Sequence, residues 1–176
     1  MALLGIIKYS VKLYWWRKKI IRKSLEVFNE TQFIEIANNI AYLSKGSEFI
    51  ALYGQVGTGK TTFARNFVKY FCGDKLKIPS PTFNLVFTYD TKFFKIWHFD
   101  LYRLNSSDEV WEIGLDDVFE KGIALIEWPE IIENFFPINR LIIKIEYTNT
   151  DPNFRIVNLE GYGTWEERIF IYDKKK

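Results

Sequence analysis

Gly54-Gln55-Val56-Gly57-Thr58-Gly59-Lys60-Thr61 follows directly on the apolar run Phe49 to Tyr53 and leads into Phe63, Ala64, Phe67 and Phe71. The run before it is short and uncharged, as expected of a strand buried on both faces. The apolar residues after it recur at helical spacing, and Gly73 ends that helix. Strand, glycine loop and helix together satisfy G-x-x-x-x-G-K-[ST] in full. Glycines let such a loop turn tightly enough to aim its N–H groups at phosphate oxygens, and the helix adds its positive N-terminal end. Gly54, Gln55, Val56, Gly57, Thr58, Gly59, Lys60, Thr61 and the adjoining Thr62 are therefore the candidate nucleotide-binding residues. Lys60 reaches the outer phosphates, and the Thr61 hydroxyl suits Mg²⁺, a hard cation that prefers oxygen.

Working outward, Ser24 to Phe28 alternates as a short strand. Asn29 with Gln32 three residues later opens a helix carrying Phe33, Ile36, Ala37 and Ile40, which Gly46 can close. Downstream, two prolines make Ile78 to Phe87 begin as a loop before turning into a strand. Phe93 to Asp100 reads as a strand, Ser106 with Glu109 as a helix start, and Gly114 as its break. Ile123 to Ile126 is a second apolar strand, ending in Glu127. Leu141 to Tyr147 and Phe154 to Leu159 form a hairpin around Asn149, Asp151 and Pro152. The expected fold class is α/β: a P-loop NTPase-like three-layer sandwich with a largely parallel central sheet and antiparallel additions.

Of 176 residues, 48% are hydrophobic, 18% aromatic and 26% charged, which fits one globular domain and excludes disordered or collagenous classes. The longest uncharged stretch runs only from Ile78 to Tyr89, too short for a transmembrane segment. The single cysteine, Cys72, forms no internal disulfide, so a cytoplasmic setting is the default. The net charge of +2 conceals an asymmetry: seven basic residues and no acid lie in the first 23 positions. Residues 24–176 hold 17 basic against 22 acidic residues, or −5, so the body does not read as a nucleic-acid-binding face. We divide the chain into a basic extension, 1–23, and one domain, 24–176. Lys8, Lys12, Lys19 and Lys23 share one side of a helical wheel, so weak contact of this leader with a membrane surface competes with a plain non-core extension. The Lys174 to Lys176 tail reads as solvated.

A second carboxylate for Mg²⁺ usually stands at the end of an apolar strand, where Glu127 lies; Asp100, closing its own strand, competes with it. Both are also candidate catalytic groups. His98 shares a strand face with Asp100 and is as readily a structural residue as a catalyst. Arg103 can meet phosphate or pair with a carboxylate, and Trp128 can stack on a base or fill the core.

Beside the P-loop stand, in order, Ser80-Pro81-Thr82-Phe83, His98-Phe99-Asp100-Leu101-Tyr102-Arg103-Leu104, Glu109, Gly114-Leu115 and Glu127-Trp128-Pro129. Over nearly all of residues 24–176 this resembles the TsaE (YjeE) family, small bacterial P-loop ATPases needed to make threonylcarbamoyladenosine in tRNA. The resemblance implies that ATP or ADP and Mg²⁺ are held by Lys60 and Thr61, and that Thr82, with Ser80, belongs to a switch-like loop. It implies that Asp100 and Glu127 serve metal binding and hydrolysis and that Trp128 lies near the nucleotide. The implied partners are the TsaD and TsaB proteins, with tRNA contacted only indirectly. Gln55-Val56 and Thr58 depart from the family's usual loop, in its tolerant positions, and nothing transfers to the leader. A small-molecule kinase is the main rival, but no arginine-rich lid segment is evident. A GTPase is disfavoured by the absence of Asn-Lys-x-Asp and of Asp-x-x-Gly after the P-loop.

Overall fold

The computed structural model describes residues 21–172 except 121, 150 and 152. The readings made for residues 1–20 and for the Lys174 to Lys176 tail lie outside the described residues. The elements run β1 (Ile21–Val27), α1 (Glu30–Leu43), β2 (Glu48–Tyr53), α2 (Lys60–Cys72), β3 (Val86–Asp90), β4 (Lys95–Asp100), α3 (Ser107–Glu112), α4 (Leu115–Glu120) and β5 (Gly122–Glu127). A 3-10 helix, Pro129–Phe135, then leads to β6 (Arg140–Tyr147), β7 (Arg155–Tyr162) and α5 (Thr164–Tyr172). No described helix is long and apolar enough to cross a membrane.

All seven strands form one sheet in the order β1-β7-β6-β2-β5-β4-β3. The inner four, β6, β2, β5 and β4, are parallel, while β3, β7 and β1 add antiparallel at the edges. The apolar runs Phe49 to Tyr53 of β2 and Ile123 to Ile126 of β5 have their cause here, because both strands lie inside the sheet with helices on each face. Ile50, Leu52, Ile123 and Leu125 pack with α1, α2 and α5 on one side. Phe49, Ala51, Ala124 and Ile126 pack with α3, α4 and the 3-10 helix on the other. The expected three-layer arrangement is thus present.

Local signals account for most of the boundaries. Asn29 accepts a hydrogen bond from the Gln32 N–H at 2.9 Å, while the Gln32 side chain reaches back to the Phe28 N–H at 2.8 Å. Ser106 and Glu109 form a complete capping box. Three boundaries differ from the sequence reading. α1 stops at Leu43, with the Ser44 N–H bonded to Ala41 O, two residues before Gly46. β4 begins at Lys95 because Thr91 bonds to the backbone of Phe93 and Phe94 and closes the β3–β4 turn, leaving the Phe93 ring 82% exposed. β1 begins at Ile21 instead of Ser24, in register with β7 from Ile21 opposite Gly161 to Val27 opposite Arg155.

Sequence reasoning missed α5 altogether. It opens after Gly163, whose N–H is capped by Glu166 at 3.1 Å, and it buries Trp165 completely. Arg168 fastens it to Glu48 on β2 through a 2.7 Å ion pair whose side chains are only 12% and 2% exposed.

Since Ile21 packs against the core and β1 starts there, the first three residues of the strand carry stability. A chain beginning at Ser24 is expected to melt below one beginning at Ile21, by about 2–4 °C for each kcal/mol of lost edge pairing. Equal melting temperatures, measured by circular dichroism, would show those rungs to contribute nothing.

Candidate functional site

The carboxyl ends of the parallel strands meet the N-terminus of α2, and there the sequence-marked residues converge. Between β2 and α2 the backbone turns through Gly54, Gly57 and Gly59, all at positive φ. At Gly54 (φ 145°) a Cβ would meet the Ile145 carbonyl oxygen and lie 2.6 Å from Thr58 Oγ1, so no side chain fits. At Gly59 (φ 115°) it would lie 3.1 Å from the Phe33 ring of α1. Thr58 is 2% exposed and donates its hydroxyl to Gln55 O at 2.9 Å, tying the loop to itself. Val56, by contrast, is 71% exposed. The two departures in the loop therefore differ physically: one points to solvent, the other makes an internal bond.

Lys60 is buried, 4% exposed, and donates to Gly54 O at 2.6 Å and Gln55 O at 3.0 Å with its ammonium 3.7 Å from the Trp128 ring centre. Burial pulls its pKa below the usual lysine range, against the attraction of Glu127, Asp100 and Glu130. Trp128 holds a left-handed backbone (φ 56°) immediately after β5, its N–H bonded to Leu52 O, and its ring packs 4.7 Å from Tyr102.

Asp100 and Glu127 face each other in register on adjacent parallel strands. Thr61 Oγ1 donates to Glu127 Oε2 at 2.8 Å, and His98 Nε2 lies 2.8 Å from Glu127 Oε1. Asp100 belongs to a different group. Its Oδ2 accepts from Thr82 Oγ1 at 2.7 Å, its Oδ1 from the Tyr102 N–H at 3.1 Å, and Ser80 Oγ stands 2.9 Å from Thr82 Oγ1. The loop bearing Thr82 closes on Leu85, a non-glycine residue at φ 66°, whose carbonyl accepts from the Asp100 N–H. Backbone held in this region is locally strained. Among the described residues Arg103 pairs with no carboxylate and does not line the cleft beside the glycine loop: it donates to Phe83 O at 2.6 Å and ties the same loop from outside.

Val56, Gly57, Gly59, Lys60, Thr61, Thr62, Thr82, Asp100, Tyr102, Glu127 and Trp128 line one cleft of about 310 Å³. Gly54, Gln55, Thr58, Ser80, His98 and Arg103 are not among its lining residues. Among the described residues no cluster of three or more His, Cys, Asp or Glu is arranged to hold a metal. The donor set fits Mg²⁺ nonetheless, since that ion is commonly held by one or two carboxylates, a hydroxyl and the substrate's own phosphates.

Three features escaped sequence reasoning. Tyr102 lines the cleft beside Trp128. Tyr147 donates its hydroxyl to Val56 O at 3.1 Å, and Arg155 donates Nε to Thr58 O at 3.1 Å while its guanidinium stacks 4.2 Å over Tyr147. The β6–β7 hairpin thus binds the outward carbonyls of the glycine loop. A second hollow of about 200 Å³ lies on the far side of Gly57, Gly59 and Thr62, walled by Val27, Asn29, Glu30, Phe33, Asn153 and Arg155. Nothing local marks these residues, because the hairpin contacts join positions more than ninety apart in sequence.

Comparison with known proteins agrees with this arrangement. Residues 27–156 match the family model described as threonylcarbamoyl adenosine biosynthesis protein TsaE. The TsaE protein of Rickettsia bellii is 40% identical over 131 residues, 74% of this chain and 90% of that protein. The Bacillus subtilis TsaE is 35% identical over 117 residues, 66% of this chain and 72% of its own length. The crystal structure of Bacillus subtilis YdiB superposes with a TM-score of 0.72 over 88% of this chain and 96% of that one, at 24% identity, a likeness of fold. With its glycine loop, both strand-end carboxylates and Trp128 all inside the matched span, the chain belongs to the TsaE family, a family of threonylcarbamoyladenosine biosynthesis.

Proposed function

We propose that this protein is a Mg²⁺-dependent ATPase that supports tRNA N6-threonylcarbamoyladenosine formation by acting on a partner complex of TsaD and TsaB. The observation that carries the reading is the Thr61–Glu127 contact. It sets the loop's hydroxyl, of the kind that suits Mg²⁺, against a strand-end carboxylate in the lining of the 310 Å³ cleft.

In this reading the loop N–H groups and Lys60 receive the phosphates, Lys60 exchanging its two carbonyl partners for phosphate oxygens. Thr61 and Glu127 hold Mg²⁺, which when bound offsets the charge that builds on the phosphate oxygens. Asp100 orients the attacking water, and Thr82, fastened to Asp100, links that carboxylate to the switch-like loop. Trp128 and Tyr102 close the cleft's rim. Ribose and base extend past Thr62 into the second hollow, beside Phe33 and Arg155. The assignment of Glu127 to metal and Asp100 to water is supported by their hydroxyl partners, Thr61 of the loop and Thr82 of the switch-like segment. In this reading, which rests here on the family resemblance, the modification itself belongs to the partners and tRNA contact is indirect.

The test is ATP turnover measured on the protein alone, then with purified TsaD and TsaB from the same organism, then with tRNA added. Turnover is expected to rise with the two proteins and to require Mg²⁺. Turnover that stays at background with both partners and Mg²⁺ present would overturn the reading.

A further inference from the structure

His98 is completely buried, at 0% exposure, in a strand whose flanking residues are Trp97 and Phe99. It lies opposite Phe87 of β3 and Leu125 of β5, two residues short of the rung where Asp100 meets Glu127. An imidazole in such a place is costly unless its nitrogens are bonded. Only one is: Nε2 stands 2.8 Å from Glu127 Oε1, while Nδ1 is buried with no hydrogen-bond partner among the described residues. Here the single bond is given to the Glu127 oxygen opposite the one that Thr61 meets.

Resting on the ATPase reading above, we infer that His98 is a positioning residue for that reaction. Its Nε2–H holds Glu127 Oε1, so that Oε2 stays turned toward Thr61 and the cleft. The donor assignment follows from chemistry, since a carboxylate only accepts. The tautomer bearing its hydrogen on Nε2 also leaves Nδ1 as a bare acceptor, whereas a hydrogen there would be an N–H buried without a partner. A glutamate side chain has three rotatable bonds, and its free oxygen samples many directions. Fixing one oxygen at folding spares that ordering at every turnover. Glu127 is itself only 2% exposed, so water does not substitute for the missing donor if the ring is removed.

The experiment compares wild type, His98→Gln, whose amide N–H reaches about as far as Nε2, and His98→Leu, which has no donor. His98→Leu is expected to lower partner-stimulated kcat by roughly 10–100-fold with KM for ATP little changed, and to raise the Mg²⁺ concentration for half-maximal turnover by about tenfold. Calorimetric ADP affinity without Mg²⁺ should stay within a few-fold in all three. His98→Gln should restore most of kcat. His98 is the only histidine in the chain, so its ring nitrogens are assigned without ambiguity by NMR of labelled protein. The signals should report a hydrogen on Nε2 and a bare Nδ1, and should change in Glu127→Ala. A hydrogen on Nδ1, a wild-type kcat in His98→Leu, or equal impairment of both variants overturns the inference. If His98→Leu does not fold, the NMR tautomer and the His98→Gln rate decide it. Wild-type protein that binds no ADP would overturn the ATPase reading and this role with it, and the calorimetry separates that outcome from failure of His98 alone.

Discussion

Replacing Glu127 by Gln is expected to lower partner-stimulated ATP turnover by roughly 10² or more while leaving ADP affinity within a few-fold. The reason is the division of labour in the proposed reading. There Lys60 and the loop receive the phosphates and carry most of the binding, whereas Glu127, which touches Thr61 and His98, contributes its negative charge. Gln keeps the shape and removes the charge, so what is lost is the electrostatic part. Asp100→Asn should cause a drop of similar size by another route, since Asp100 is bonded to Thr82 and the Tyr102 N–H. A Mg²⁺ titration separates the two. In Glu127→Gln the half-maximal Mg²⁺ concentration should rise; in Asp100→Asn it should stay near that of wild type. Steady-state hydrolysis in the presence of TsaD and TsaB is the measurement. Wild-type rates in both variants would make these acids mere strand ends, with nucleotide binding still standing.

Lys60→Ala should weaken ADP and ATP binding by at least about tenfold, about 1.4 kcal/mol, as read by calorimetry. Removing the ammonium takes away the one side-chain charge of the loop and also frees the Gly54 and Gln55 carbonyls that it now occupies. The variant's melting curve serves as the control for folding, since Lys60 is buried over Trp128 and its loss leaves a gap there. Unchanged affinity in a folded variant would remove the P-loop reading altogether.

The parts of the molecule that were legible in the amino-acid order are those written by neighbours in sequence. The glycine loop was readable because a strand's apolar run, a tight turn and a helix's spacing follow one another without interruption from Phe49 to Phe71. Glu127 was readable because a carboxylate after four apolar residues marks a strand end. The resemblance to a family added Thr82, which no periodicity would single out, and set Trp128 near the nucleotide, where its residue type alone had left base stacking and core filling open. What stayed hidden depends on register and on long-range pairing. The bond from His98 to Glu127 requires β4 and β5 to align in one register, and the hold of Tyr147 and Arg155 on the loop requires β7 to lie beside β6. α5 went unread because it is short, and its burial is set by Glu48 and by the β7 face rather than by its own pattern. Arg103 was placed between phosphate and carboxylate by its charge alone, and it bonds instead to a main-chain oxygen.

The pairing of β1 with β7 has a consequence for how the protein is made. A ribosome releases Ile21 to Val27 long before Gly161 to Arg155, their partners, so the earliest described strand emerges with no edge to join. By the time Trp128 has appeared, every residue of the phosphate loop and both carboxylates are present. Yet β6 still lacks its place beside β2, and no hydroxyl or guanidinium yet holds the Val56 and Thr58 carbonyls. Closing so wide a span of chain is slow by its topology, and an unpaired strand edge invites association with other chains in the interval. Newborn chains therefore complete the outer bonds of the glycine loop only when the hairpin arrives, and a message truncated before Arg155 yields a chain that carries Asp100 and Glu127 but leaves the Thr58 carbonyl without its guanidinium partner.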